Sequence, residues 1–346
     1  MKINNRRVGR EFEPFIVAEV SANHNGDIEC AKNTISEAKR CGADAVKLQT
    51  YTPDTMTINS KNEDFIIKDG LWEGRNLYEL YQEAYTPFEW HKELYDFAND
   101  QDIICFSTPF DESAVELLES LDNPLYKVAS FEVTDLFLLK TIAATKKPVI
   151  MSTGMANIEE IEEAVETLRM NGTTELAILH CVSGYPTEPK DANLKTIADL
   201  SERFECEVGL SDHTLSNACA ISSISMGASI IEKHFIIDRS LGGPDSSFSI
   251  EPDQLKNLKI STTEAWESIG NINYELKGEE ENMIKFRRSL YIVEDIKAGD
   301  RLSKNNLRRI RPGYGIEPKF YQEVLNKRVK IDLKSGTALS WEMIDE

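Results

Sequence analysis

The chain has 346 residues, of which 41% are hydrophobic, and its 39 basic and 59 acidic side chains give a formal net charge of −20. This acidic balance, without a dense lysine and arginine tract, argues against nucleic acid and anionic membranes as partners. No apolar run reaches the roughly 18 residues of a membrane span, and the polar N-terminus lacks the apolar segment of a signal peptide, so we expect a cytoplasmic protein. Six cysteines without a Cys-x-x-Cys spacing predict reduced thiols.

Short runs rich in aliphatic and β-branched residues alternate with longer amphipathic stretches, which is typical of repeated βα units. We predict eight strands, at residues 15–20, 45–50, 103–108, 125–130, 148–153, 176–181, 207–211 and 229–234. Apolar spacing predicts helices at residues 30–41, 88–99, 113–121, 136–145, 158–170, 194–203 and 217–226. Eight alternations favour a closed (β/α)8 TIM barrel. An open doubly wound sheet is the alternative, although no Gly-x-Gly-x-x-Gly follows the first strand.

Two regions fall outside this alternation. The insertion at residues 51–87 carries Trp72, Tyr78, Tyr81 and Tyr85, and a loop of this length is either functional or a packed surface flap. Polar residues at 271–285 indicate a linker between a barrel domain, residues 1–270, and a small β-rich domain, residues 286–346. Because the small domain is marginal alone, we expect it to lean on the barrel or on another subunit.

Polar side chains follow the predicted strands at their carboxyl ends, where a parallel barrel carries its chemistry. They include Glu19, Lys47, Gln49, Thr108, Lys127, Ser130, Glu132, Ser152, Ser183, Tyr185, Ser211, His213 and His234. A single buried hydroxyl usually bonds backbone, whereas eight polar strand ends in succession favour a site. Lys47 and Lys127 beside hydroxyls suit a small phosphorylated carboxylate, although each lysine could instead pair with a barrel glutamate.

Two histidines close consecutive predicted strands, so that both imidazoles can reach one ion. His213 and His234 fit a catalytic metal better than a structural one, because water or substrate must complete the ligand shell. The ligand type favours Mn, Zn, Fe or Co without choosing among them. His24 could line the same end of the barrel or hold its own loop.

At these residues the sequence closely resembles the sialic acid synthase (nonulosonic acid synthase) family, enzymes that condense phosphoenolpyruvate with an amino sugar. The matching segments are residues 18–26, 46–49, 107–110, 126–132, 151–155, 180–181, 185–186, 209–213, 232–235 and 243–245. Residues 48–57, 72–78 and 84–91 resemble the branch that makes pseudaminic acid, which implies 2,4-diacetamido-2,4,6-trideoxy-L-altrose as acceptor. N-acetylneuraminate or legionaminate synthesis and a non-catalytic sugar- or phosphate-binding module are the alternatives. Residues 288–291, 296–299 and 311–313 resemble the antifreeze-like (SAF) domain of that family.

The resemblance also implies roles for single residues. Phosphoenolpyruvate would be held by Lys47, Thr108, Lys127, Ser130, Ser152, Ser183 and Ser211, although family members commonly have Asn where Ser183 stands. Glu19 and Glu132 would transfer protons or stabilise a cation, and Gln49, Tyr185 and Asp245 would contact the sugar. A divalent metal on His213 and His234, Mn²⁺ first with Mg²⁺ or Co²⁺ as alternatives, would polarise the sugar aldehyde. Arg311 would enter the active site of a partner subunit, which implies a domain-swapped homodimer; alone it would be an ordinary surface arginine.

Overall fold

The first part of the chain is a closed barrel of parallel strands. The computed structural model describes residues 1–345 and divides the chain into two compact units, with the break after Gly270. The barrel strands are β1 (Phe15–Glu19), β2 (Ala45–Thr50), β3 (Ile104–Pro109), β4 (Tyr126–Val128), β5 (Val149–Ser152), β6 (Leu176–Cys181), β7 (Glu207–Ser211) and β8 (Ile230–His234). Neighbours in sequence pair in order, and β8 pairs with β1. The predicted barrel is confirmed, and its closure rules out the open sheet.

Helices and short turns connect the strands. They are α1 (Ile28–Arg40), α2 (Pro53–Met56), α3 (Leu77–Ala84), α4 (Phe88–Asp100), α5 (Glu112–Ser120), α6 (Leu136–Ala144), α7 (Ile158–Met170), α8 (Thr196–Phe204), α9 (Ala218–Ser225) and α10 (Pro252–Ile269). All seven predicted helices are present. The long helix α10 was not predicted, although Pro252 in its first turn and a capping box of Glu251 with Gln254 mark its start. Among residues 1–345, no helix is long and apolar enough to cross a membrane.

Two apolar clusters hold the barrel together, because successive strand side chains point to opposite faces. Inside the barrel lie Phe15, Val17, Phe106, Leu125 and Ile150 with their neighbours. The intervening residues, such as Ile16 and Ala18 of β1, pack outward against the helices. The inner face therefore has an apolar floor, and its positions nearer the carboxyl ends are free to carry polar groups. We call that end of the barrel the mouth.

The second unit begins at Asn271 and has its own small core. Strands β9 (Ser289–Ile292) and β10 (Leu307–Ile310) form an antiparallel pair, accompanied by the short helices α11 (Glu280–Met283) and α12 (Tyr321–Val324). Isolated bridges, such as Tyr291 with Ala338 and Val329 with Ile344, extend the β-structure. Buried Leu290, Ile292, Leu302 and Leu307 lie in its apolar cluster. The small β-rich domain predicted from the sequence is confirmed.

Candidate active site

The inward positions at the top of the barrel are polar on nearly every strand. Counting in steps of two from the apolar floor leads to Glu19 on β1, Lys47 and Gln49 on β2, Thr108 on β3, Lys127 on β4, Ser152 on β5, Ser211 on β7, and Glu232 and His234 on β8. The predicted site residues on the strands therefore share one face. Glu232 was missed as a site residue, although it lies two positions before His234 and so points the same way.

Two buried lysines and two buried glutamates form the centre of the mouth. The Lys47 Nζ lies 2.8 Å from Glu232 Oε1 and 3.2 Å from Glu19 Oε2. The Lys127 Nζ donates to the Val128 carbonyl at 2.9 Å and lies 3.8 Å from Glu232 Oε1. The alternative interpretation of Lys47, pairing with a barrel glutamate, is thus what the structure shows. Because an ammonium group has three donors, each lysine keeps donor capacity for a further acceptor.

Burial perturbs the protonation of these groups. Burial raises the pKa of Glu19 to about 7, although Lys47 acts in the opposite direction. Burial also acts to raise the pKa of Glu232, but the positive charges of Lys127 and Lys47 outweigh it, so that this pKa is lowered. Burial also lowers the pKa of Lys127 to about 8, and it raises that of Glu132 to about 7. Carboxyl groups that titrate near pH 7 can both hold and release a proton during catalysis.

Hydroxyl groups occupy other positions at the mouth. Within the described residues, the buried Thr108 Oγ1 and Ser152 Oγ have no hydrogen-bonding partner, so both can serve a ligand. The Ser130 Oγ accepts from the Gly154 N–H at 3.0 Å. A side chain at Gly154 would collide with Ser183 Oγ, since a built Cβ would lie 2.2 Å from it. Gly154 therefore allows the turns after β4 and β6 to approach each other.

Two imidazoles meet at the same mouth, where His234 lies on the strand that carries Glu232. The rings of His213 and His234 have centroids 5.5 Å apart. The His213 Nδ1 lies 3.0 Å from the Val182 carbonyl, an acceptor, so Nδ1 carries the proton and Nε2 presents a lone pair. The buried His234 Nδ1 has no hydrogen-bonding partner in residues 1–345 and lies 3.7 Å from Asp245 Oδ2.

This donor set fits a divalent metal. Burial holds the pKa of His234 well below its ordinary value, which keeps the ring in the neutral, ligating form. Burial acts in the same direction on His213, but contact with Cys181 outweighs it and raises that pKa, so a metal would compete with a proton there. No group of three or more His, Cys, Asp or Glu residues suited to a metal occurs within residues 1–345. Two imidazoles with further positions left for water or substrate match a catalytic site.

Aromatic side chains cover the imidazoles. The Tyr185 ring lies 4.4 Å from that of His213 and 5.1 Å from that of Phe248, measured between centroids. Trp72, from the 51–87 insertion, lies 5.8 Å from the Tyr185 ring and donates through Nε1 to the Pro244 carbonyl at 3.0 Å. The insertion thus forms part of the wall of the site. Phe248 was not predicted, because it follows β8 in a turn that has no periodic pattern.

Asp245 lies beside the imidazoles and is itself buried. Its Oδ2 accepts from the Ser21 hydroxyl at 2.5 Å. Burial raises the pKa of Asp245 in spite of this hydrogen bond. The loop after β8 therefore brings a carboxyl group close to His234.

Within the first unit, one candidate residue lies outside the mouth. His24 is fully buried, with Nδ1 accepting from the Gly26 N–H at 3.1 Å and Nε2 lying 3.2 Å from Thr86 Oγ1, so it holds its loop and does not line the mouth. Arg311 follows β10 in the second unit and is exposed.

Comparisons with known proteins agree with this architecture. Residues 34–274 match the NeuB family, and residues 287–345 match the SAF domain. The chain belongs to the NeuB family. The resemblance inferred from the motifs is therefore confirmed.

Relatives of named activity match nearly the whole chain. A pseudaminic acid synthase of Campylobacter jejuni is 44% identical over 342 residues, which is 98% of each chain. A pseudaminic acid synthase of Helicobacter pylori is 45% identical over 96% of this chain and 98% of the relative. The crystal structure of the N-acetylneuraminic acid synthetase of Leptospira borgpetersenii in complex with citrate has a TM-score of 0.74 and 30% identity, and the match covers 83% of this chain and 95% of that one.

Proposed function

We propose that this protein is a pseudaminic acid synthase. It condenses phosphoenolpyruvate with 2,4-diacetamido-2,4,6-trideoxy-β-L-altropyranose and water, and it releases phosphate. The reaction type is supported by one observation: two buried lysines, unpartnered hydroxyls and a pair of imidazoles lie at one barrel mouth. The acceptor follows from the two pseudaminic acid synthases that share 44% and 45% identity with the chain.

Phosphoenolpyruvate would lie on the lysine side of the mouth. Lys47 and Lys127 supply positive charge, and hydroxyl groups supply donors for the phosphate and carboxylate oxygens. Those hydroxyls belong to Thr108, Ser130, Ser152, Ser183 and Ser211. A neutral Glu19 would strengthen anion binding, because it leaves less negative charge beside Lys47.

The sugar would lie on the imidazole side, where Gln49, Tyr185 and Asp245 contact it. A divalent ion held by His213 and His234, Mn²⁺ in first place with Mg²⁺ or Co²⁺ as alternatives, would supply Lewis-acid polarisation of the aldehyde oxygen. Carbon 3 of phosphoenolpyruvate bonds to the aldehyde carbon, water adds at carbon 2, and the bond from carbon 2 to the phosphate oxygen breaks. Glu19 and Glu132 would take up and return the protons that these steps require.

The second unit completes the proposal. Residues 271–285 would act as a linker, and Arg311 would enter the mouth of a partner subunit in a domain-swapped homodimer. Such an arrangement would also give the marginal SAF domain a surface to pack against.

A panel of acceptors tests the proposed function. Phosphate release from phosphoenolpyruvate is measured with the altrose-configured sugar, the legionaminic acid precursor and N-acetylmannosamine, each with and without Mn²⁺. We expect efficient release only with the first sugar and Mn²⁺, and loss of release in His234→Ala. Equal turnover with N-acetylmannosamine would contradict the proposed acceptor. Undiminished turnover without metal would contradict the role of the imidazole pair.

A further inference from the structure

Lys233 is a buried lysine that the proposed reaction does not use. It lies between Glu232 and His234 on β8, and since neighbouring strand residues face opposite ways, its side chain leaves the barrel on the outer face. There its Nζ donates to Asp212 Oδ2 at 2.7 Å, to the Thr214 carbonyl, and to the Ser216 carbonyl at 3.2 Å. All three donors of the ammonium group therefore end on one short loop, residues 212–216, which we call the His213 loop.

The His213 loop is organised around this ammonium group. The second oxygen of Asp212, Oδ1, accepts from the Thr214 N–H at 2.9 Å. This hydrogen bond closes a short turn that contains His213. On the other side, the His213 carbonyl accepts from the Thr187 N–H at 3.0 Å, and its ring bonds the Val182 carbonyl. Lys233 thus fixes the backbone on both sides of His213, while the loop after β6 sets the orientation of the ring.

The ion pair is hard to explain by stability alone. Lys233 is 1% exposed and Asp212 is 3% exposed. Buried ion pairs bring little net stability compared with apolar residues of the same volume, because both charges lose their hydration. Unlike an apolar pair, Lys233 and Asp212 form directed hydrogen bonds. These bonds connect β8, which carries His234, to the loop that carries His213.

We infer that Lys233 is a positioning residue for the imidazole pair, setting the separation of His213 and His234 at which both can ligate one divalent ion. The inference rests on the proposed function, since it requires the metal. It extends that function to a residue outside the mouth that contacts neither substrate.

The test measures Mn²⁺ binding directly and without substrates. The Mn²⁺ ion is titrated into the metal-free full-length protein, and free Mn²⁺ is followed by electron paramagnetic resonance. We expect Lys233→Met to weaken the Kd roughly ten- to hundredfold, the range found when residues that orient metal ligands are replaced. Thermal unfolding of the same samples reports the stability.

A second variant separates positioning from folding. Lys233→Met alone leaves a buried, unpaired Asp212, whereas Lys233→Met with Asp212→Asn removes both charges and keeps the oxygen that accepts from Thr214. We expect the double variant to regain thermal stability while its Mn²⁺ affinity stays weak. The reason is that the Thr214 and Ser216 carbonyls still lack the hydrogen bonds that Lys233 donates.

Lys259 provides the matched control. Its Nζ lies 2.9 Å from Glu13 Oε1 and 3.2 Å from Asp44 Oδ2, before the starts of β1 and β2 and so at the other end of the barrel. Lys259→Met should lower stability without changing the Kd for Mn²⁺. A double variant at Lys233 and Asp212 that folds and binds Mn²⁺ like the unsubstituted chain would overturn the positioning role alone. If the unsubstituted chain binds no Mn²⁺, or binds it equally well after His234→Ala, the inference falls together with the proposed metal pair.

Discussion

At the scale of single residues, Glu132 is a buried carboxyl group whose ionisation lowers the stability of the folded protein. The carboxyl group lies on the turn after β4, and burial raises its pKa to about 7, with Lys127 acting in the opposite direction and Asp135 in the same one. Within the described residues its Oε2 has no hydrogen-bonding partner. The folded protein therefore binds the Glu132 proton more tightly than the unfolded chain does, and stability falls as pH rises from about 4.5 to about 7.

Glu132→Gln should therefore make the protein more stable and less active. The variant is expected to gain roughly 1–3 kcal/mol above pH 7 and almost nothing near pH 4.5, because one pKa unit corresponds to about 1.4 kcal/mol. Its kcat should fall by roughly 10²–10⁴-fold if Glu132 transfers a proton. Urea unfolding and phosphate release, both measured against pH, check the two effects. Glu116→Gln, at an exposed carboxylate, is the control, and a stability gain independent of pH would contradict the burial argument.

The position of the candidate residues at one end of the barrel was accessible from the sequence, but their pairing was not. Lys47, Thr108 and His234 could be predicted because they occupy strand ends, and strand ends in a barrel converge. The contact of Lys47 with Glu232 depends on the register of three adjacent strands, β2, β1 and β8, where Glu19 aligns with Lys47 on one side and with His234 on the other. No local pattern encodes such a register. The perturbed pKa of Glu132 likewise depends on burial, which is a property of the assembled barrel.

At the scale of elements, the 51–87 insertion forms part of the wall of the mouth beside the imidazoles. It contributes α2 and α3 and places the Trp72 indole against Tyr185, with its N–H bonded to the loop after β8. A cavity of about 360 Å³ lies beside this contact, lined by Leu71, Trp72, Arg75 and Pro244 among others. We expect this cavity to take up a group that distinguishes one acceptor sugar from another, since residues 72–78 of the insertion resemble the branch of the family that makes pseudaminic acid.

Trp72→Ala should weaken sugar binding without affecting phosphoenolpyruvate. We expect the KM for the sugar to rise about tenfold, which corresponds to about 1.4 kcal/mol, while the KM for phosphoenolpyruvate stays unchanged. Steady-state kinetics with each substrate varied in turn measures the two values. Trp266 is a matched control, because its indole also donates to a backbone carbonyl, that of Arg10, at 2.9 Å. Equal increases in both KM values would indicate a general loss of order and not a contact with the sugar.

Elements with a strong period were predictable, and those defined by tertiary contacts were not. Each predicted bound of a barrel strand or of the seven predicted helices lies within two residues of the observed one. In contrast, α3 lies in the insertion, where no repeated βα unit suggested a helix. The short N-terminal ladder of Lys2–Ile3 with Arg6–Arg7 was also missed. It is too short for a period to show, and its Ile3 is held by the apolar floor of the barrel.

At the scale of the whole molecule, the proposed homodimer makes Arg311 part of another chain's site. The residue is exposed in its own unit. The sequence could suggest this role only through the family resemblance, since an arginine before Pro312 has no distinguishing local pattern.

Complementation between two inactive variants tests a contribution from the partner subunit. Arg311→Ala and His234→Ala are each expected to abolish turnover in homodimers. When the two chains are co-expressed with different tags, a mixed dimer contains one barrel with an intact imidazole pair served by an intact Arg311. Random mixing should therefore restore about one quarter of the original activity, because about half of the dimers are mixed and each has one working site. No restoration in purified mixed dimers would show that Arg311 does not act across chains.

Strand β8 has a consequence for the tolerance of the protein to insertions and deletions. Within five residues it carries Glu232 and His234 towards the mouth and Lys233 towards the His213 loop. Moving the strand by one position would exchange the two faces, so that the imidazole would leave the barrel and the lysine would enter it. Replacing Ile230 or Ile231 by another apolar residue should reduce stability only modestly. Inserting or deleting a single residue here would instead displace His234 from the mouth and Lys233 from the His213 loop at the same time. Changes in length should consequently be confined to the connections at the other end of the barrel, between the helices and the strands that follow them.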